Sequence, residues 1–343
     1  MRRLLVAASA AVAAVAVTYP AHAQAAECDV DRPVVFAGLD WDSNSFHNAV
    51  AGFILEHGYG CETDEIPGST IPLLNGMIRG DIDITMEMWI PNVKEAWETA
   101  VERGQVIAVG TAIPDATQEW YVPKYLVEGD DAPAKGLKSV SDLPDFKDVF
   151  ADPEEPGKGR FYNCILGWGC EVINTKKLHA YDLLDDYTNF RPGTGAALAA
   201  AIESAILRER PIVFYYWGPT WILGKIGDQV VTLEEPPYDE EIWNKLQETQ
   251  NPADVEEATA YPVVEVSIAM NKAFHEQAPT ITEFLGNYET TNALVSQALA
   301  YMQDENATAA EAAEWFLRNN EELWTEWVPA EVAEKVTAAL AAS

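Results

Sequence analysis

Short apolar runs alternate with longer segments of helical spacing over residues 34–113, and this alternation limits the fold more than any other feature of the sequence. Segment 46–57, for example, carries apolar residues three or four positions apart, which predicts a helix between two strands. Parallel neighbouring strands need a crossover connection, which is usually a helix. The pattern therefore predicts an α/β fold with a parallel sheet. The predicted strands are 34–39, 61–67, 82–89 and 106–113.

The chain of 343 residues is long enough to form two lobes, each with its own core. An extended segment at 119–123 would carry the chain into a second lobe, and an apolar strand at 263–270 would bring it back. We therefore expect a discontinuous lobe 1, residues 28–115 plus 262–343, and a continuous lobe 2, residues 116–261. A ligand cleft between the lobes, lined by loops at the carboxyl ends of the strands, suits this architecture.

The N-terminus has the composition of a secretory signal peptide. Arg2 and Arg3 precede an apolar run at 4–17, and Ala21-His22-Ala23 fits the small-x-small cleavage pattern. We predict a signal peptide at 1–23 and a periplasmic mature protein. The alternative is a retained N-terminal anchor, for which the apolar run is short. No later run reaches 18 apolar residues, so the mature chain is expected to be soluble.

The chain is strongly acidic, with 22 basic residues against 55 acidic residues and a net charge of −33. Such a surface repels nucleic acid and anionic lipid, so neither is an expected partner. It attracts cationic or zwitterionic ligands only weakly, because salt screens exposed charges beyond about 10 Å. We favour the interpretation that the acidity maintains solubility in a salty environment.

Four cysteines in an exported chain suggest two disulfides, for which three pairings exist. Cys28 and Cys61 each precede a predicted strand, and parallel neighbouring strands would bring them together. Cys164 and Cys170 would then close a small loop. A metal site is not expected, because the sequence has no CxxC pair and its five histidines are scattered.

Four of the 11 tryptophans occupy positions that core packing does not explain. Each follows a predicted strand directly or lies in a tight glycine turn: Trp41, Trp89, Trp168 and Trp217. A trimethylammonium group cannot donate a hydrogen bond, but aromatic faces attract its diffuse charge by roughly 0.5–2 kcal/mol each, tryptophan most strongly. The positions therefore predict a cage for an onium group. The alternative is that these side chains are packed or surface aromatics.

The turn Gly167-Trp168-Gly169-Cys170 predicts a second part of the site. If Gly169 and Cys170 begin the following helix, their N–H groups would point into the cleft and bind an anion such as a ligand carboxylate. The alternative is a structural disulfide turn without a ligand. A carboxylate facing the cage would strengthen the binding of a cation, and the acidic residues near the predicted site are Asp40, Asp42, Glu87 and Glu119.

Three segments carry a resemblance to a known family: Trp89-Ile90-Pro91, 164–170 and 214–221. Over most of the mature chain the sequence resembles the substrate-binding proteins of ABC-type glycine betaine/proline betaine importers. The resemblance implies a type II periplasmic-binding-protein fold that closes on its ligand, and an ABC permease in the inner membrane as partner. It also implies that Trp89, Trp168 and Trp217 form the aromatic box and that amides of Gly169 and Cys170 hold the ligand carboxylate.

The sequence departs from the family at the anionic end of the site. One member offers a histidine after the first box tryptophan, whereas no histidine follows Trp89 here, and Asn92 would be the substitute donor. Trp41 would add a fourth wall. With Glu119 nearby, such a cage would suit trimethylamine N-oxide, and choline is a further alternative. We predict a zwitterionic or cationic amine ligand, of the glycine betaine/proline betaine class, and leave its anionic end open.

Other functions fit the sequence less well. An enzyme on the same frame would need a catalytic motif, and no GxSxG, P-loop, GxGxxG or HExxH pattern occurs. An amino-acid-binding protein would need an arginine for the carboxylate, and basic residues are scarce near the predicted cleft. A structural or adhesive protein would not need tryptophans in a cleft. We therefore expect a monomeric binding protein, not an enzyme, without metal or cofactor.

Overall fold

Residues 27–343, which the computed structural model describes, fold into alternating strands and helices. The strands are β1 (Val34–Leu39), β2 (Thr63–Gly68), β3 (Ile84–Met88), β4 (Val106–Pro123), β5 (Gly159–Tyr162), β6 (Tyr187–Phe190), β7 (Val213–Gly218), β8 (Val230–Thr232) and β9 (Val264–Asn271). The helices are α1 (Asp42–Ile54), α2 (Thr70–Arg79), α3 (Lys94–Glu102), α4 (Lys124–Val127), α5 (Gly169–Ala180), α6 (Gly195–Leu207), α7 (Trp221–Ile226), α8 (Glu240–Glu248), α9 (Lys272–Gln277), α10 (Pro279–Asn287), α11 (Asn292–Asp304), α12 (Ala309–Asn319), α13 (Glu321–Trp324) and α14 (Ala330–Ala342). The predicted signal peptide, 1–23, lies outside the described residues.

The strands form a sheet in the order β2-β1-β3-β9-β4-β7-β5-β6, and β8 pairs with β4 beside this path. As predicted, β1 runs parallel to β2 and β3, and β5 runs parallel to β6 and β7. The prediction of parallel pairing is wrong for β4, because its neighbours β7, β8 and β9 are all antiparallel to it. The returning strand β9 inserts between β3 and β4 and runs opposite to both.

Strand β4 joins two groups of strands. The first group is β1, β2, β3 and β9, and the second group is β5, β6, β7 and β8. Its first part, residues 106–116, pairs with β9, and its last part, residues 117–123, pairs with β7 and β8. The segments predicted separately at 106–113 and 119–123 are therefore one strand of 18 residues. The predicted lobe boundary at 115/116 falls inside β4, and the boundary at 261/262 falls just before β9. The division of the chain into lobes at these residues stays a prediction.

The C-terminal helices pack against α1 and cover one face of the first group of strands. Several aromatic residues of this region are buried, and Phe284, Tyr288, Phe316 and Trp324 are each at most 1% exposed. Helix α12 begins with a capping box in which Thr308 and Glu311 bind each other's backbone N–H groups.

Both predicted disulfides are confirmed. Cys28 and Cys61 are bonded, with Cα atoms 5.0 Å apart, because the parallel pairing of β1 with β2 brings their N-terminal flanks together. Cys164 and Cys170 close a short loop between β5 and α5, with Cα atoms 6.1 Å apart. Within residues 27–343, no helix is long and apolar enough to cross a membrane.

Candidate functional site

The four singled-out tryptophans meet in one cavity. Trp41 lies between β1 and α1, Trp89 follows β3, Trp168 precedes α5 and Trp217 lies in β7. The cavity is small, with about 30 Å³ of space for the centre of a water-sized sphere. Its lining consists of Trp41, Thr70, Trp89, Asn92, Gln118, Trp168, Gly169, Cys170, Tyr215 and Trp217. Seven of the eight residues proposed from sequence as ligand contacts line it, and Glu119 does not.

Three of the tryptophans form a contiguous aromatic cluster with Trp168 at its centre. The ring of Trp168 makes an edge contact with Trp41, at 5.3 Å between centroids, and another with Trp217, at 5.1 Å. Trp89, Trp168 and Trp217 are buried, and Trp41 is partly buried. Edge-to-face packing of this kind fixes ring orientation. In this arrangement the rings of Trp41, Trp168 and Trp217 fix one another's orientation.

Carboxylates bind the indole N–H groups of three of these tryptophans. One oxygen of Glu87, Oε2, accepts hydrogen bonds from Nε1 of Trp41, at 2.8 Å, and from Nε1 of Trp89, at 3.0 Å. Oδ1 of Asp40 accepts a hydrogen bond of 2.6 Å from Nε1 of Trp168. Two of the four acidic residues expected near the site therefore contact the outer edges of its walls.

The structure corrects the prediction that Trp217 lies in a loop, because this residue is part of β7 and pairs with Gln118 of β4. Cross-strand partners and alternate residues share a face of a sheet. Gln118 and Tyr215 therefore face the cavity beside Trp217, and both line it. Neither residue was among those predicted from the sequence. The period of two along β7 would have identified Tyr215 if Trp217 had been placed in a strand, whereas Gln118 follows only from the register of β4 against β7.

The same register explains why Glu119 lies away from the cavity. Glu119 pairs with Tyr216, which puts its side chain on the face of β4 opposite to Gln118. Its carboxylate accepts hydrogen bonds from the hydroxyls of Tyr121, at 2.5 Å, and Thr232, at 3.2 Å. Asp42, another acidic candidate, lines a neighbouring hollow with Trp221 and not this cavity.

Amide and hydroxyl groups form the polar part of the cavity. Asn92 and Gln118 exchange two hydrogen bonds, Nδ2 to Oε1 at 2.7 Å and Nε2 to Oδ1 at 3.2 Å. The hydroxyl of Tyr215 also donates to Oε1 of Gln118, at 2.7 Å. Complete burial raises the pKa of Tyr215 well above its usual value, so the phenol stays a neutral donor. No lysine, arginine or histidine is among the residues that line the cavity.

The glycine–cysteine turn brings the first residues of α5 to the cavity wall. Gly167 has a left-handed backbone with a φ of 95°, which glycine adopts without strain, and its carbonyl accepts a hydrogen bond from the N–H of Ile71. Gly169 lies so close to Asn92 that an added Cβ would be 2.8 Å from the Cβ of Asn92. Gly169 and Cys170 are the first two residues of α5, where backbone N–H groups lack helical partners.

The carboxyl group of Glu87 is fully buried next to His47. Burial raises the pKa of Glu87, and hydrogen bonds from Ser43, Trp41 and Trp89 oppose this rise. Burial also lowers the pKa of His47 to about 3, so its imidazole is neutral at pH 7. Its Nε2 lies 4.0 Å from Oε1 of Glu87, and its Nδ1 shares a 2.6 Å hydrogen bond with the hydroxyl of Tyr288. Within residues 27–343, no cluster of histidine, cysteine, aspartate or glutamate has the arrangement of a metal site.

Comparisons with known proteins identify the family to which this chain is similar. Residues 32–319 match the family model described as the substrate-binding domain of ABC-type glycine betaine transport systems. The chain is 26% identical over 239 residues, 68% of each chain, to the glycine betaine/proline betaine-binding periplasmic protein of Escherichia coli K12. It is 21% identical over 306 residues to the trimethylamine N-oxide-binding protein of Pelagibacter ubique, covering 87% of this chain and 91% of that one.

The fold also matches solved structures. A glycine betaine/L-proline-binding protein of an ABC transporter from Borrelia burgdorferi superposes with a TM-score of 0.69 at 17% identity, covering 89% of this chain and all of that one. At this identity the likeness concerns the fold. The predicted class, an α/β fold of the two-lobed periplasmic-binding type, is therefore confirmed.

Proposed function

Because the chain belongs to the family of substrate-binding domains of ABC-type glycine betaine transport systems, we propose that it captures an amine osmolyte in the tryptophan-walled cavity. The ligand carries a quaternary or trimethylated nitrogen and belongs to the glycine betaine/proline betaine class. The protein then delivers this ligand to the permease of an ABC importer. The family consists of transport proteins and not of enzymes, and we assign no reaction to this chain.

The observation that carries the proposal is the convergence of four indole rings on a cavity without a basic lining residue. A trimethylated nitrogen presents methyl groups and a diffuse charge, so it needs aromatic faces more than hydrogen-bond acceptors. At roughly 0.5–2 kcal/mol per ring, four rings supply roughly 2–8 kcal/mol towards the roughly 8 kcal/mol of micromolar binding. A primary ammonium would instead require directed acceptors, and an amino-acid carboxylate would favour an arginine.

The anionic end of the ligand fits the opposite part of the cavity. The N–H groups of Gly169 and Cys170 begin a helix of 12 residues, whose N-terminus favours negative charge. The second N–H of the Gln118 side-chain amide and the neighbouring Asn92 add polar character there. This arrangement suits the carboxylate of glycine betaine or proline betaine.

Trimethylamine N-oxide and choline are alternative ligands with the same trimethylated nitrogen. The relative from Pelagibacter ubique, which is named for the N-oxide, is similar over most of its length and supports the first. A carboxylate partner for the N-oxide would not be Glu119, which faces away from the cavity. Choline has a hydroxyl in place of an anion and would use the helix N-terminus less well.

Residues of both predicted lobes contact each other around the cavity, which suggests that closure completes the site. The contacts include the bond from Trp168 to Asp40 and a 2.7 Å hydrogen bond from Nε2 of Gln247 to the carbonyl of Pro91. In an open form, lobe 1 would keep Trp41 and Trp89, and lobe 2 would keep Trp168 and Trp217. The ligand would bridge these halves and favour the closed form that a permease recognises. The site of action would be the periplasm.

Tryptophan fluorescence of the purified mature protein tests this function. Titration with glycine betaine, proline betaine, choline and trimethylamine N-oxide should give a saturable change for at least one of them, and glycine and proline should give none. Trp315→Phe is the control, because this partly buried indole stacks on Tyr301 outside the cavity. The variant should keep the ligand-induced change in fluorescence. A saturable response to amino acids alone would contradict the proposal.

A further inference from the structure

Glu87 anchors two walls of the cavity through one oxygen atom. The residue belongs to β3 and is 1% exposed, while Trp41 and Trp89 belong to different loops. Because Oε2 accepts the N–H groups of both indoles, at 2.8 and 3.0 Å, the two rings have a fixed position relative to each other. The shared oxygen atom therefore links the position of one indole nitrogen to the position of the other.

Burial raises the pKa of Glu87, and the hydrogen bonds that the carboxyl group accepts oppose this rise without neutralising its charge. Ser43, Trp41 and Trp89 all donate hydrogen bonds to the carboxylate, and donors stabilise the anion over the acid. Among the described residues, His47 is the basic side chain that lies within 4.0 Å of the Glu87 carboxylate. Its imidazole is neutral at pH 7, because burial lowers its pKa to about 3. A buried negative charge without a positive partner in the protein is costly. A cation bound between the rings would reduce that cost.

We propose that Glu87 is a positioning residue that determines the selectivity of the cage for positive charge. Its carboxylate polarises the indoles of Trp41 and Trp89 through the N–H groups at the edges of both rings. Negative charge at the N–H edge of an indole increases the electron density of its face and so strengthens the attraction of that face for a cation, in surroundings from which water is excluded. The cage then prefers a trimethylated nitrogen to a tert-butyl group of the same shape. This inference rests on the proposed function and adds the source of its charge selectivity.

A purely structural role for Glu87 predicts a different outcome. If the carboxylate only oriented the rings, a glutamine would do so nearly as well, because its carbonyl oxygen accepts the same two N–H groups. Any remaining loss of binding would then affect charged and uncharged ligands of one shape equally. The ratio of the two affinities, and not either affinity alone, therefore distinguishes the roles.

The experiment measures this ratio for Glu87→Gln and for the wild-type protein. Calorimetric titrations use three pairs in which carbon replaces the charged nitrogen: glycine betaine with 3,3-dimethylbutanoate, choline with 3,3-dimethylbutan-1-ol, and trimethylamine N-oxide with tert-butanol. In Glu87→Gln we expect the affinity for the nitrogen compound to fall about tenfold, equivalent to about 1.4 kcal/mol. The affinity for the carbon compound should change less than about threefold, less than about 0.7 kcal/mol. Glu98→Gln, which removes a charge from the exposed surface of α3, should leave both unchanged.

Each outcome separates this inference from the proposed function. If the wild-type protein binds none of the three nitrogen compounds, the proposed function fails. If it binds one of them and the variant loses affinity for both members of the pair equally, only the role of Glu87 is overturned.

A second measurement needs no variant, in case Glu87→Gln does not fold. Carbon-13 NMR of the wild-type complex, with glutamate labelled at the side-chain carboxyl, should show Glu87 ionised at pH 7. A protonated Glu87 in the complex would overturn the inference.

Discussion

Nε1 of Trp168 donates a 2.6 Å hydrogen bond to Oδ1 of Asp40, and this bond joins the two predicted lobes at the cavity. The indole belongs to the segment before α5, and the carboxylate belongs to the loop after β1. A wall of the cavity contributed by one predicted lobe is thus held by a residue of the other predicted lobe. If closure accompanies binding, this bond forms together with the complete cage.

Replacing the Asp40 carboxylate by an amide should weaken ligand binding. Asp40→Asn keeps an acceptor for Trp168 but removes its charge, and charged acceptors bind more strongly than neutral ones. We expect about a fivefold loss of affinity, equivalent to about 1 kcal/mol. The loss should appear mainly as faster ligand dissociation in stopped-flow fluorescence. Asp81→Asn, an exposed aspartate paired with Arg79, is the control, and equal rates in the two variants would argue against a closing role.

A methyl group at Gly169 should block closure. The Cβ of Gly169→Ala would lie 2.8 Å from the Cβ of Asn92 and 2.9 Å from its carbonyl oxygen. The two residues belong to different predicted lobes, so the clash can be relieved by opening. We expect about tenfold weaker binding with little change in thermal stability. Gly224→Ala in α7 is the matched control, because an added Cβ meets nothing within 4 Å there. Unchanged affinity of Gly169→Ala would show that Gly169 and Asn92 need not approach each other.

The two disulfides should differ in what they stabilise. Chain entropy predicts about 4 kcal/mol from the bond between Cys28 and Cys61, which are 33 residues apart, and about 2 kcal/mol from the bond between Cys164 and Cys170, 6 apart. Serine replacement of the first pair should therefore lower the unfolding free energy in urea more. Replacement of the second pair should lower ligand affinity more, because Cys170 lines the cavity. Equal effects of both pairs on affinity would contradict this assignment.

Protonation of His47 should destabilise the fold in acid. The pKa of His47 is lowered to about 3 in the folded chain, so the unfolded chain binds this proton at higher pH than the folded chain does. His47 therefore costs no stability above pH 6.5, and the unfolding free energy falls by up to about 1.4 kcal/mol per pH unit as the pH drops from 6.5 towards 3. NMR of the imidazole should show His47 neutral from pH 8 to pH 5. A titration midpoint near 6.5 would contradict its burial.

Much of the site could be predicted from the sequence, because strand ends mark where side chains of a cleft must lie. Trp41 and Trp89 follow from this rule, whereas Trp168 and the helix start at Gly169 were predicted from the tight turn Gly167-Trp168-Gly169-Cys170. The face of the sheet on which each strand side chain lies could not be predicted, because it depends on the register between neighbouring strands. A shift of one residue exchanges the faces, and for that reason Gln118 faces the cavity and Glu119 does not.

Strand direction and buried partners were also beyond the sequence pattern. The antiparallel insertion of β9 between β3 and β4 depends on how the chain returns from residues 124–263, and apolar spacing carries no information on direction. Glu87 was one of four acidic candidates in sequence. Only the fold brings Trp41 and Trp89 to the same carboxylate oxygen.

Isothermal titration of the mature protein with glycine betaine, proline betaine, choline and trimethylamine N-oxide tests the central claim most directly. At least one of these compounds should bind with micromolar or better affinity, and Trp168→Ala should abolish this binding because Trp168 contacts two other walls of the cage. Absence of heat with all four compounds, or unchanged binding in Trp168→Ala, would contradict the assignment of this cavity as an onium site.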